Sequence, residues 1–311
     1  MGHNFVVVIN CKQVRIIILY NPIAGAGKAA EAAKELCQTL SSAGHEPQLA
    51  QTCIKPGSDW LNDELKDAGA LVVVGGDGAV RLAAEPAKRN QTPIYHFPYG
   101  TENLFSRNFA MDQEHETLLK AVERNQPRMI DMGNANGQSF LLMASIGYDA
   151  NVVHDLSQHR GSSISHMTYL MPMARQFLAW KPPRLRVKVD GKEIPISDPA
   201  MIIVANSCQY AARLNPAPYA DISDGQLDVV ILPIKNKLQL VTWLVKCRRG
   251  SHLKDSRLIQ CKGKHVEISC QEPELYQLDG DPPSVADNSE TVATTQLEIK
   301  VLEAVLPVLV P

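Results

Sequence analysis

Three short segments of this 311-residue chain combine residue types that phosphate chemistry uses. Asn21-Pro-Ile-Ala-Gly-Ala-Gly-Lys28 is a turn of small residues whose main-chain amides, with the N-terminus of a following helix, can hold an anion. It is not a Walker A loop. Pro22 stands where that motif has its first glycine, and Ala29 stands where its magnesium-binding Ser or Thr belongs. The looser dinucleotide pattern is met by Gly25, Gly27 and Ala30, but the second strand ends in Gln51-Thr52, without an acid for a ribose hydroxyl. Taken alone, these glycines serve a tight turn as readily as a phosphate.

Val74-Gly-Gly-Asp-Gly78 is sharper. Two glycines ahead of an acid let the backbone approach a phosphate closely, while the acid can meet magnesium or a ribose. A structural turn would use the same residues. Pro98-Tyr-Gly-Thr-Glu-Asn-Leu-Phe-Ser-Arg107 supplies a third loop, in which Thr101 and Asn103 can donate to phosphates or cap the next helix, capping being the simpler task.

The elements around these loops determine whether they can meet. Arg15 to Tyr20 is a continuous apolar run of the kind a doubly covered strand needs, and Lys28 to Ser42 has helical spacing with Gly44 at its C-terminal end. The unit recurs. Pro47 to Thr52, Ala70 to Val74 and Pro93 to Pro98 are strands; Ser58 to Asp67, capped by Ser58, and Val80 to Arg89 are helices. This alternation predicts a doubly wound, Rossmann-like α/β domain over residues 1–130, with its ligands outside the carboxyl ends of the strands, where all three loops fall.

Beyond residue 130 the texture changes to short strands: Phe140 to Ile146, Arg184 to Val189, Met201 to Ala205, Leu227 to Leu232, Val266 to Ser269 and Leu297 to Val301. Helices over Met167 to Trp180 and Lys237 to Arg248 interrupt them, and Pro182-Pro183 stops the first. The expected second domain, 131–311, is antiparallel, β-rich and sandwich-like, an α+β unit whose last residues have the option of returning to the first domain. Asp281 to Thr295 reads as an exposed loop.

Composition sets outer limits. Apolar residues form 45% of the chain and charged residues 21%, which are globular values, and the net charge of −2 argues against nucleic acid as a partner. Seven cysteines without a Cys-x-x-Cys pair suggest a reducing, cytoplasmic setting rather than disulfides or zinc. His154, His159 and His166 lack metal-ligand spacing. The apolar run Phe5 to Ile9 is too short for a signal peptide or a membrane span.

The three loops, in this order and spacing, resemble the diacylglycerol kinase catalytic domain, the family of bacterial lipid kinases and sphingosine kinases. The resemblance continues through Gly133 to Phe140, Ser145 to Ala150, Val204 to Asn206, the Asp224-Gly-Gln-Leu-Asp228 core and Leu278-Asp-Gly-Asp281, and covers the chain from about residue 14 to its end. It implies a kinase that moves the terminal phosphoryl group of ATP to a lipid hydroxyl, with Mg2+. Gly75, Gly76, Asp77, Gly78, Ala79, Val80 and Arg81, with Thr52, Thr101 and Asn103, would line the ATP site, and Asn21 would order the first loop. Asp224 would hold a second-domain magnesium ion with carbonyls near Asp221 and Gln226. Asp281 would be the proton acceptor, with the catalytic Asp279 beside it.

The chain departs from the family's usual pattern at Ala79 for Thr, Arg81 for Asn and Asp281 for Glu, and Ala211-Ala212 stands where glycines are frequent. Ala79 forgoes one hydroxyl hydrogen bond, and Arg81 offers a cation in its place. The implied partner is a lipid at a membrane surface, met peripherally by Lys237 to Arg249, where Leu240, Trp243, Leu244 and Cys247 share one face, although core packing explains the same spacing. A homodimer is left open. An NAD kinase-like enzyme with a soluble substrate and a decayed, lipid-binding relative are the competing functions.

Overall fold

The computed structural model describes residues 13–53, 59–158, 166–283 and 295–311, with side chains from 170 onward in the third stretch. Phe5 to Ile9, Cys11, Ser58, His159, the His166 side chain and residues 284–294 of the expected polar loop lie outside the described residues.

β1 (Arg15–Tyr20) buries Ile16 to Leu19 completely, as a strand covered on both faces must. α1 (Lys28–Ser42) lays Ala29, Ala33, Leu36 and Leu40 in the same core. It ends where Gly44 turns left-handed at φ +86°, allowing the His45 amide to reach the Leu40 carbonyl at 3.0 Å. β2 (Glu46–Gln51) pairs in parallel with β1. The helix expected over 58–67 is one turn only, α2 (Asn62–Leu65). Leu61 at φ +63° and Asp67 at φ +60° bracket it, because buried Leu61 and Leu65 anchor a turn rather than a helical face. β3 (Ala70–Gly75) is buried throughout and pairs in parallel with β1; α3 (Asp77–Asn90) follows directly, and β4 (Ile94–Pro98) pairs in parallel with β3. α4 (Leu104–Asn108) and α5 (His115–Arg124) complete this layer. The order β2-β1-β3-β4 is that of the expected doubly wound sheet.

β5 (Arg128–Ala135) and β6 (Gln138–Phe140) form a hairpin in the first sheet, whereas β7 (Met143–Ile146) belongs to a second sheet. The segment expected as one strand over 140–146 is therefore broken at Leu141-Leu142, where the chain crosses between sheets. α6 (Tyr148–Gln158) and α7 (His166–Ala179) lead to β8 (Leu185–Val189), β9 (Lys192–Ile194), β10 (Ala200–Ala205) and β11 (Leu227–Pro233). α8 (Lys237–Arg249) is capped by Asn236, whose side chain accepts the Gln239 amide at 3.0 Å. β12 (Ile259–Gly263), β13 (His265–Cys270), β14 (Tyr276–Leu278) and β15 (Leu297–Val308) complete the chain. The second sheet, β12-β11-β10-β7-β14, is wholly antiparallel. Its inner face (Ala144, Ile202, Val229) packs on Phe140, Val187, Val266 and Ile299 of the first sheet, giving a sandwich.

β15 decides how the halves meet. It pairs with β13 and β5, shifts register between Leu302 and Leu306, and ends with Val308 parallel to Ile94 of β4. A single continuous sheet thus runs through both halves. No described helix is long and apolar enough to cross a membrane.

Candidate active site

The site lies at the carboxyl ends of β1, β3 and β4. The Asn21 amide donates to the Val74 carbonyl at 3.1 Å, and its side-chain Oδ1 accepts the Ile23 amide at 3.2 Å, so Asn21 shapes the turn leaving β1. Gly75 ends β3; its carbonyl accepts the Tyr99 amide at 2.7 Å and faces Nε2 of buried His96 at 2.9 Å. Burial holds the His96 imidazole below its usual range, even with the Asp77 charge nearby acting to raise it. A neutral ring thus supports the loop from beneath.

Gly76 and Gly100 bring the second and third loops into backbone contact. A Cβ on Gly100 would lie 2.4 Å from the Gly76 Cα, and one on Gly76 would lie 3.0 Å from the Gly100 Cα. Only glycine fits either position without moving main chain. Asn103 fastens the third loop: its Oδ1 accepts the Gly100 amide at 2.7 Å and its Nδ2 donates to the Gly100 carbonyl at 2.9 Å. The cap on α4 comes from elsewhere, since Asp77 Oδ1 accepts the Phe105 amide at 2.9 Å.

α3 presents its first-turn amides beside this contact. A helix start carries partial positive charge and unmatched N–H groups, which suits phosphate. Ala79 and Val80 contribute no side chain to it. Both are buried in the core, and their amides bond to the Gly76 carbonyl at 2.9 and 3.3 Å. Thr101 is exposed at the rim, and Thr52 stands one strand away, its amide continuing the β1–β2 ladder to the Tyr20 carbonyl at 3.0 Å.

The late acidic segment arrives from the second sheet. Leu278 and Asp281 exchange backbone hydrogen bonds of 2.9 and 3.0 Å around a two-residue turn, with Asp279 at φ +52° and Gly280 at φ +83°. Positive φ at both central positions is the signature of a type I′ hairpin turn, for which Asp-Gly is a preferred pair. The turn sets Asp281 Oδ2 about where a Gly78 Cβ would touch it, at 3.3 Å, and 3.2 Å from Arg81 Nη2. Asp279 points the other way. Its carboxylate accepts the amides of Leu141, Leu142 and Met143 at 2.7, 2.8 and 2.9 Å, which ties the turn to the crossover between sheets. Burial pushes this carboxyl up to about 6, against the lowering effect of those amides and of Arg81. With both oxygens engaged by main-chain amides, Asp279 anchors the turn that carries Asp281.

The implied second-domain ion site is separate, at the loop preceding β11, and its residues do not suit magnesium. Asp221 Oδ1 accepts from Ser223 and lies 3.2 Å from Arg128 Nη2. Asp224 Oδ1 accepts the Gln226 amide at 3.0 Å, and its Oδ2 meets Lys262 Nζ at 2.8 Å. Among the described residues, no group of three or more His, Cys, Asp or Glu could hold a metal. Burial opposes the Lys262 charge, yet Asp224 and Asp228 outweigh it and raise the ammonium above its usual range.

Sequence reasoning gave no individual role to Gly100, His96, Asp131 or Lys262. Gly100 was legible as a glycine after a buried strand, and Asp131 as an acid inside an apolar strand. Asp131 is buried and accepts the Gly225 and Ala304 amides, both at 2.7 Å. Lys262 carried no signal, because its partner Asp224 is 38 positions away.

Residues 15–135 match the diacylglycerol kinase catalytic domain, and residues 143–305 match the YegS C-terminal NAD kinase beta sandwich-like domain. The chain is 26% identical over 281 residues to a diacylglycerol kinase of Bacillus subtilis, covering 87% of this chain and 90% of that one. It is 24% identical over 285 residues to a diacylglycerol kinase of Mycobacterium tuberculosis, covering 86% and 88%. A crystal structure of a diacylglycerol kinase from Bacillus anthracis shares its fold, with a TM-score of 0.69 at 19% identity over 96% of this chain and 98% of that one.

Proposed function

The chain belongs to the diacylglycerol kinase catalytic domain family, completed by that family's YegS-type C-terminal domain, and on this premise we propose that it transfers the γ-phosphoryl group of ATP to a lipid hydroxyl. The observation that carries the reading is the Asp281 carboxylate, delivered from the second domain to the glycine loop of the first. An acid at that point serves a reaction in which a hydroxyl loses its proton beside a phosphate.

The residues fit a nucleotide. The Gly76–Gly100 contact leaves no side chain between the two loops, the start of α3 offers amides, and Arg81 supplies a cation at the same edge. Gly75, Gly76, Asp77, Gly78, Asn103 and Arg81 would hold ATP, with Asn21 shaping the first loop; Thr52 and Thr101 would reach it only from the rim. Bound ATP with Mg2+ supplies the transferable phosphoryl group and neutralises its charge. Asp281 would accept the acceptor hydroxyl's proton as the hydroxyl oxygen bonds to the γ-phosphorus and the bond from that phosphorus to the bridging oxygen of the departing ADP breaks, a contribution of roughly a hundredfold to ten-thousandfold. Arg81 holds that carboxylate, and Asp279 anchors the turn that carries it.

A lipid acceptor calls for contact with a bilayer surface. The face of α8 with Leu240, Trp243 and Cys247 is buried in the core, so that face is unavailable. The opposite stripe is Leu238, Val241 and Val245, with Leu238 75% exposed; Met171 and Leu178 of α7 are 71% and 73% exposed. Lys237 Nζ joins the two helices through the Leu178 carbonyl at 2.5 Å, and Lys181, Arg248 and Arg249 are exposed nearby in sequence. An apolar stripe with basic residues suits an anionic bilayer. Arg248 also bonds the Ala212 carbonyl, and the Ala212 amide meets Glu102 at 3.2 Å in the third loop, so this surface adjoins the cleft.

The test is transfer of labelled γ-phosphate from ATP to dispersed diacylglycerol, sphingoid base and isoprenoid alcohol, with NAD as a soluble alternative. Labelled lipid that disappears in Asp77→Ala and Asp281→Asn supports the reading. Labelled NAD, or no product despite ATP binding, sinks it.

A further inference from the structure

The family resemblance implies a magnesium ion at Asp224, yet the chain's own cation already sits on that carboxylate. Lys262 Nζ lies 2.8 Å from Asp224 Oδ2, 3.0 Å from Asp228 Oδ2 and 3.4 Å from the Tyr219 carbonyl. Three oxygens, two of them charged, surround a group with three donors. The arrangement does not depend on a wandering surface side chain. Asp228 and Lys262 are direct cross-strand partners in the β11–β12 register, so sheet pairing itself delivers the ammonium to the loop.

Two further acidic oxygens of the loop are also engaged. Asp224 Oδ1 takes the Gln226 amide, and Asp221 Oδ1 takes the Ser223 amide and hydroxyl, with the Arg128 guanidinium 3.2 Å away. Magnesium needs oxygens at about 2.0–2.1 Å in octahedral array. Here it would have to displace a lysine from two carboxylates and accept a second cation close by.

We propose that the Lys262 ammonium takes the place of the second-domain divalent ion, so that this loop is ordered by a built-in cation. The loop it orders is connected to the cleft. The Gly225 amide bonds Asp131; the Asp131 carbonyl accepts Asn206 Nδ2 at 3.0 Å; Asn206 also bonds the Leu141 carbonyl at 2.8 Å; and the Leu141 amide ends on Asp279. Asn206 is fully buried in this path. A metal-independent cation here fixes the crossover that carries the Asp281 turn without a bound ion.

The test uses the full chain, nucleotide-free and stripped of metal, titrated with Mn2+ alone. Bound ion is counted by electron paramagnetic resonance, and Tm is followed in parallel. The native protein is expected to take up no Mn2+ that depends on Asp224. Lys262→Gln is expected to gain one such site, with a Tm that Mn2+ raises by about 2–4 °C. A stoichiometric Mn2+ in the native protein that Asp224→Asn abolishes would overturn the proposal. A folded Lys262→Gln protein that gains no site would do the same. If that variant does not fold, the comparison of native protein with Asp224→Asn decides alone. None of these readouts involves phosphoryl transfer, so they stand apart from the activity proposed above.

Discussion

Arg81 Nη2 lies 3.2 Å from Asp281 Oδ2, an ion pair between the start of α3 and a turn 200 residues further along the chain. Both side chains are largely buried, at 15% and 18% exposed, so the pair is shielded more than a surface bridge. The longer Arg81 and the shorter Asp281, the two departures that bear on the proposed base, meet each other here. Asp281→Asn is expected to lower kcat by about 10²–10⁴-fold. Arg81→Ala should lower kcat and raise the KM for ATP, and the double variant should fall short of the summed losses by about 0.5–3 kcal/mol. Strict additivity in that cycle would separate Arg81 from the base.

Gly100→Ala places a methyl 2.4 Å from the Gly76 Cα. Two main chains must then part, so ATP affinity is expected to fall and stability to drop by about 1–3 kcal/mol. Calorimetric titration with ATP and a urea melt measure the two effects. Unchanged ATP affinity would mean that the loop contact is not part of the nucleotide site.

The Asp279 carboxyl is pushed up to about 6 by burial, above the value an unfolded chain would give it. The folded protein therefore binds a proton that the unfolded chain releases between about pH 4 and 6. Stability from this group is present below about pH 4 and is lost as pH rises through about 6. The stability advantage of the native protein over Asp279→Asn should shrink over that window by about 2 kcal/mol. A pH-independent difference in denaturant melts would show that the amide clamp holds Asp279 at its ordinary value.

Leu238→Ser combined with Val245→Ser should weaken co-sedimentation with anionic vesicles by about tenfold or more, since each buried aliphatic side chain contributes about 1.5–3 kcal/mol. Phosphoryl transfer to a short-chain, water-soluble acceptor should be unchanged. Equal vesicle binding by native and variant proteins would remove the outer face of α8 from membrane contact.

The sequence by itself determined the parts that local physics controls. Ile16 to Leu19 and Ala70 to Gly75 are apolar on both faces, which forces buried parallel strands, and their carboxyl ends must then present Asn21 and Gly75 to Gly78 together. Tertiary structure decided what depends on distant partners. α8 has two apolar stripes, and only packing showed that Leu240, Trp243 and Cys247 go inward while Leu238, Val241 and Val245 stay out. Asp279 and Asp281 are two positions apart in sequence yet face opposite ways, because a left-handed turn aims one at the amides of the sheet crossover and the other at Gly78. The register of β11 on β12 seats Lys262 between Asp224 and Asp228, a charge placement that no local pattern around any of the three residues encodes.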